Sequence, residues 1–90
     1  MPNPAHKYTV QFTKTARKDY EGILDHKLKR GINRIIEDLK QDPFQFKKLS
    51  GPLSHLWAAK TFSFRLLYEI QNDILIISIV SIEHRRNFYR

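Results

Sequence analysis

Ninety residues fit one domain, a second is not expected, and the core such a chain can bury leaves little stability in reserve. Sixteen Lys and Arg against nine Asp and Glu give a net charge of +7, and the excess is spread over both halves of the chain rather than gathered in a tail. No cysteine is present, which excludes disulfides and thiolate metal sites.

The basic balance favours an anionic partner, nucleic acid first and an acidic protein second. The opening stretch MPNPAHKYTVQF lacks the apolar centre of a signal peptide, and the longest apolar run, residues 74–80, is far too short to span a bilayer. No membrane association is expected, and the chain reads as a cytoplasmic protein.

KYTVQF alternates as a first strand, with Tyr8, Val10 and Phe12 on one face. From about Lys14 the period lengthens. Ala16, Tyr20, Ile23 and Leu24 form one helical stripe, and Leu28, Ile32, Ile35, Ile36 and Leu39 form a second, interrupted by Gly31 and stopped at Asp42-Pro43. DPFQFKKLSGPLSH reads as a connection. The runs LWAAK, FSFRLLYEI and ILIISIVSI then read as three strands, the last two joined by a short turn at Asn72-Asp73.

In the middle run, Phe62, Phe64, Leu66, Tyr68 and Ile70 alternate with Ser63, Arg65, Leu67 and Glu69, so Arg65 is expected to point away from the aromatic face. The order β-α-α-β-β-β predicts a single α+β domain over residues 1–90, a two-helix hairpin packed on one face of an antiparallel sheet.

The other face of that sheet carries the candidate chemistry. Arg65 lies mid-strand, Lys60 near the end of its neighbour, and His84, Arg85 and Arg86 at the end of the last strand, within the terminal HRRNFYR. Gathered on one side, these groups would bind phosphate, because a guanidinium matches phosphate with two parallel hydrogen bonds. Phe88 or Tyr89 would stack on a base, as in sites for single-stranded RNA. Each residue also has a plainer reading: Arg65 as a solvent-facing side chain with its stem on a neighbour, the terminal run as a frayed end, and Trp57, Phe62, Phe64 and Tyr68 as core. His6, His26 and His55 show no metal-ligand spacing, so neither a metal nor another cofactor is expected.

Lys48-Leu49 with Gly51, the FRLLYEI strand, the Asn72-Asp73 turn, an aliphatic strand and the HRxxxYR ending follow one another in an order that resembles the RelE/ParE superfamily of toxins. YTVQFTKTARKDYEGI is similar to the first half of that family, so the resemblance spans nearly the whole chain. It implies a metal-independent messenger-RNA endonuclease acting on the ribosome, in contact with 16S rRNA, in which the RNA 2′-hydroxyl attacks the adjacent phosphate. It further implies a cognate acidic antitoxin and a toxin–antitoxin hetero-oligomer.

By the same resemblance, Arg65 clamps the scissile phosphate, His84 serves as general base or acid, and Tyr89 orients the nucleotide. Lys60 is the nearest counterpart of the strand lysines of some members and the next candidate for proton transfer. Lys47, Lys48, Arg85, Arg86 and Phe88 are expected to bind RNA. Glu83 is expected to lie on the face opposite His84, in a structural role. The connecting loop lacks the glutamate that other members use as base. The same fold also carries inhibitors of DNA gyrase without nuclease activity, which is the alternative function.

Overall fold

A computed structural model of the chain describes residues 7–84. The first strand, β1 (Thr9–Phe12), leads directly into helix α1 (Lys14–Glu21). Thr13 makes the transition sharp: its hydroxyl accepts the Ala16 N–H at 3.1 Å, capping the helix, and donates to the Val80 carbonyl at 3.0 Å. The stripe that begins at Ala16 stops earlier than its periodicity suggests, because α1 ends at Glu21 and Leu24 stands 86% exposed in the connection. Helix α2 (His26–Gln41) starts afresh at Asp25, whose carboxylate accepts the N–H groups of Lys27 and Leu28.

Four further strands follow: β2 (Lys47–Lys48), β3 (Trp57–Lys60), β4 (Phe64–Gln71) and β5 (Ile76–His84). They form one sheet in the order β1-β5-β4-β3-β2, with both helices packed on it. The domain is α+β, as the sequence predicts, but the sheet is mixed: β1 pairs parallel with β5 and the remaining pairs are antiparallel. The reason is β2. Successive elements reverse direction along the chain, so one extra strand between α2 and β3 turns β5 from antiparallel to parallel with β1. Two lysines carry no alternation of their own, which is why they read as loop.

Two turns also depart from expectation. The β4–β5 connection occupies residues 72–75 rather than Asn72-Asp73 alone, with Leu75 in the left-handed region (φ 55°) and Ile74 and Leu75 exposed. The Tyr8 hydroxyl fastens it by donating to Asn72 Oδ1 at 2.6 Å. Phe62, expected to extend the aromatic face of β4, lies in the β3–β4 turn and is 79% exposed.

The main core lies between helices and sheet, from Ala16, Ile32 and Leu39 on the helices to Phe64, Leu66 and Tyr68 of β4 and Ile77, Ile79 and Ile82 of β5. The β5 residues reveal a change of parity. Ile77 and Ile79 face the helices, but so does Ile82, three residues on. A β-bulge accounts for this: Tyr68 pairs with Ile79 and Leu67 with Ser81, leaving Val80 without a partner opposite it. Val80 packs instead in a smaller cluster on the other face with Leu49, Leu56, Ala58 and Leu67.

Beyond the bulge β5 outruns β1, and the Asp19 carboxylate of α1 takes the place of a strand partner by accepting the Ile82 N–H at 3.0 Å. Asp19→Ala should therefore cost about 1–2 kcal/mol, the usual penalty for a partly buried donor left without its acceptor. Urea unfolding monitored by circular dichroism reads this directly.

Tyr68 is fully buried, and its hydroxyl donates to the Pro43 carbonyl at 2.7 Å. Burial, reinforced by the nearby Asp42 carboxylate, raises its phenol well above the ordinary range. An acid raised by folding contributes stability that is intact below its unfolded value, about pH 10, and lost as the pH climbs further. Tyr68→Phe should lower stability at neutral pH by about 1–2 kcal/mol through the unpaired carbonyl. It should also flatten the decline of melting temperature above about pH 10 relative to the parent protein.

Candidate nucleic-acid interface

The face of the sheet turned away from the helices is built from the alternate residues of each strand. In β4, Phe64, Leu66 and Tyr68 enter the core, so Arg65, Leu67 and Glu69 face outward. Register then sets their neighbours. Lys60 stands directly opposite Arg65 on one side and Glu83 directly opposite it on the other, forming a row across β3, β4 and β5. Directly opposed residues share a face, so cation, cation and carboxylate project together. Lys60 is exposed, while Arg65 and Glu83 retain 37% and 32% of their side-chain surface.

The guanidinium of Arg65 is engaged by Glu83. Its Nε donates to Glu83 Oε1 at 2.8 Å, and Nη2 donates to the same oxygen. At this degree of exposure the pair contributes at most about 1 kcal/mol to folding, so its significance lies in where it holds Arg65. The rest of this face is partly roofed by the segment carrying Leu49 and Leu56, which packs over Ala58 and Leu67.

The two lysines of β2 separate. Lys47 is opposite Ala58, two residues from Lys60 along β3, and so lies on the same face as Arg65. Lys48 is opposite Trp57, which packs against the main core. Its ammonium lies 5.9 Å from the Trp57 ring centroid and donates to the Ser54 carbonyl, tied to the β2–β3 connection rather than to the row.

His84 is not beside Arg65. It is paired with Phe64, on the helix side of the sheet, where it lines a cleft of about 340 Å³ with Asp19, Asp25, Leu28 and Phe64. Strict alternation from Ile77 and Ile79 would place residue 84 on the outer face and residue 83 on the inner one. The bulge at Val80 exchanges them, bringing Glu83 to Arg65 and turning His84 toward the helices. The expectation that Arg65, Lys60 and His84 share one side is corrected on that ground.

Arg85, Arg86, Phe88 and Tyr89 lie outside the described residues. Among the described residues, no three His, Asp or Glu side chains come close enough to hold a metal ion, and no helix is long and apolar enough to cross a membrane.

Glu83 is the residue whose place the linear pattern conceals, because β5 is apolar at both parities and its facing is ambiguous. One signal was present. The serines at 78 and 81 both face outward, and polar residues three apart in a strand with one solvated face require a bulge between them.

Residues 10–89 match the family of the ParE toxin of type II toxin-antitoxin system, parDE. Toxin RelG of Mycobacterium tuberculosis is 32% identical over 84 residues, covering 92% of this chain and 97% of its own. In the crystal structure of the toxin–antitoxin complex RelBE2 from the same organism, a chain 31% identical superposes with a TM-score of 0.79, over 88% of this chain and 99% of that one. A chain of the intact Escherichia coli RelBE complex, 14% identical over 84% of this chain and 94% of its own, shares the fold with a TM-score of 0.74. The chain belongs to the ParE toxin family and is a toxin of a type II toxin–antitoxin system, similar to Toxin RelG.

Proposed function

We propose that this toxin is a metal-independent endoribonuclease that cuts messenger RNA on the ribosome. The observation that carries the reading is the outer-face row in which Lys60 and Arg65 stand side by side on adjacent strands, with Lys47 on the same face. Two cations in neighbouring cross-strand positions suit one phosphodiester, and Arg65 supplies the directional contact because its donors lie in a plane. Dependence on the ribosome, and contact with 16S rRNA, come with the resemblance to RelE toxins.

The chemistry is an in-line displacement within the RNA. The 2′-oxygen forms a bond to the adjacent phosphorus, its proton passes to a base, the bond from phosphorus to the 5′-oxygen breaks, and that oxygen takes up a proton from an acid. The nucleophile belongs to the substrate, so no water has to be activated. What the protein must supply is positive charge on the phosphate oxygens and groups that move protons. In this reading Arg65 holds the scissile phosphate and Lys60 is the described proton-transfer candidate nearest to it.

His84, on the helix side, reaches a nucleotide only around the end of β5. Its role in the proposal is accordingly to receive the strand leaving that face, or to transfer a proton from the rim. Arg85 and Arg86 as phosphate ligands, Phe88 as a stacking ring and Tyr89 as the group orienting the nucleotide complete the proposed site, with Lys48 a peripheral RNA contact.

A type II toxin has an antitoxin as partner, and the similar RelBE2 structure is a toxin–antitoxin complex. The +7 charge suits an acidic antitoxin segment that folds on binding to form a hetero-oligomer.

A second reading, inhibition of DNA gyrase, comes with the resemblance to the ParE toxins, the family matched over residues 10–89. One paired experiment separates the two. Purified toxin is added to ribosomes programmed with a defined message, and in parallel to a gyrase supercoiling assay. The proposal expects cleavage of the ribosome-bound message and unchanged supercoiling. Arg65→Ala should slow cleavage by roughly 10²–10³-fold, the usual cost of removing one preorganised donor to a developing anion, with the circular dichroism spectrum unaltered. Loss of supercoiling by a protein that leaves the message intact would establish the gyrase reading instead.

A further inference from the structure

We infer that Glu83 is an internal competitor for the RNA phosphate, a carboxylate latch that Arg65 must leave before it clamps substrate; this rests on the proposed phosphate-binding role of Arg65. The argument begins with which edge of the guanidinium is occupied. Nε and Nη2 are the two parallel donors with which arginine grips a phosphate side-on, and both point at Glu83 Oε1. A phosphodiester approaching that edge meets a carboxylate already in place. The two anions cannot occupy it together, because like charges at hydrogen-bond distance repel strongly in a half-buried setting.

The fold maintains the competition. Glu83 is held opposite Arg65 by strand register, downstream of the Val80 bulge, and the Ile82 N–H beside it is anchored to Asp19. The carboxylate is thus a fixed feature of the face and not a wandering surface group. Exposure of about a third in both side chains keeps the pair exchangeable, since such ion pairs are worth little and yield to a better-placed anion.

The consequence is selective. An isolated phosphate gains no more from Arg65 than Glu83 already provides. An RNA strand that also engages Lys60 and Lys47 displaces the latch by adding contacts the carboxylate cannot make. Glu83 therefore sets how much of the site an anion must fill before Arg65 is released to it.

The test measures binding rather than turnover. A short single-stranded 2′-O-methyl oligonucleotide, which lacks the attacking hydroxyl, is titrated into wild-type protein and into Glu83→Gln, Glu83→Asp, Arg65→Ala and the Arg65→Ala/Glu83→Gln double variant at several salt concentrations. Glu83→Gln should bind roughly threefold to tenfold tighter. Its plot of log affinity against log salt should steepen by about 0.7, the increment for one more neutralised phosphate on a single strand. Glu83→Asp retains the charge and should stay within about twofold of wild type, which guards against a folding effect of the amide.

In the Arg65→Ala background, Glu83→Gln should change nothing beyond the loss of one negative charge at the surface, leaving the salt slope unaltered. If Glu83→Gln binds no tighter than wild type, or tightens equally without Arg65, the latch is refuted while a weakened Arg65→Ala variant still upholds the phosphate clamp. If Arg65→Ala binds as well as wild type, the clamp itself fails and the latch with it.

Discussion

One unpaired residue in the β4–β5 ladder governs the arrangement of this molecule. Where Leu67 pairs with Ser81 and Tyr68 with Ile79, Val80 is left over, and every residue of β5 beyond it changes face. The core accepts the change because Ile82 fills the inner position that strict alternation would give to Ser81 or Glu83. Had the ladder run straight, a carboxylate would face the core and its burial would cost more than a bulge. The bulge thus satisfies the core and, as the same act, aims Glu83 at Arg65.

Two side chains, one capping α1 and one within it, hold that geometry from the opposite end of the sequence. Thr13 donates to the carbonyl of Val80 while capping α1, and Asp19, farther along the same helix, accepts the N–H of Ile82. The helix that follows β1 therefore brackets the bulge from both sides. It does so because β1 lies parallel to β5 as its neighbour, which in turn follows from the additional reversal at β2. A two-residue strand at one edge of the sheet and an irregularity near the other are linked through the direction of the chain.

The large-scale plan was legible because it depends on period. Helical stripes around Ile32 and Leu39, the alternation of Phe64, Leu66 and Tyr68, and the turns at Gly51 and Asn72 all announce themselves in the linear pattern. What failed to show is what depends on parity and length. Lys47-Lys48 is too short to alternate, Leu24 continues a stripe that Asp25 has already ended by capping a new helix, and β5 is apolar on both faces, so nothing but its serines marks the shift. Arg65 was recognisable as outward-facing because its own strand is regular. Glu83 was not, since its facing is decided by a neighbour three residues away.

The central claim is that the Val80 bulge places Glu83, and not His84, on the face of Arg65. Nuclear Overhauser contacts of the His84 ring protons test it in solution without reference to activity. Contacts from His84 to the Phe64 ring and the Leu28 methyl groups, with Glu83 side-chain protons close to those of Arg65, are the expected result. Contacts from the His84 ring to the Arg65 side chain, with Glu83 turned toward Phe64, would mean a straight ladder and would contradict the account.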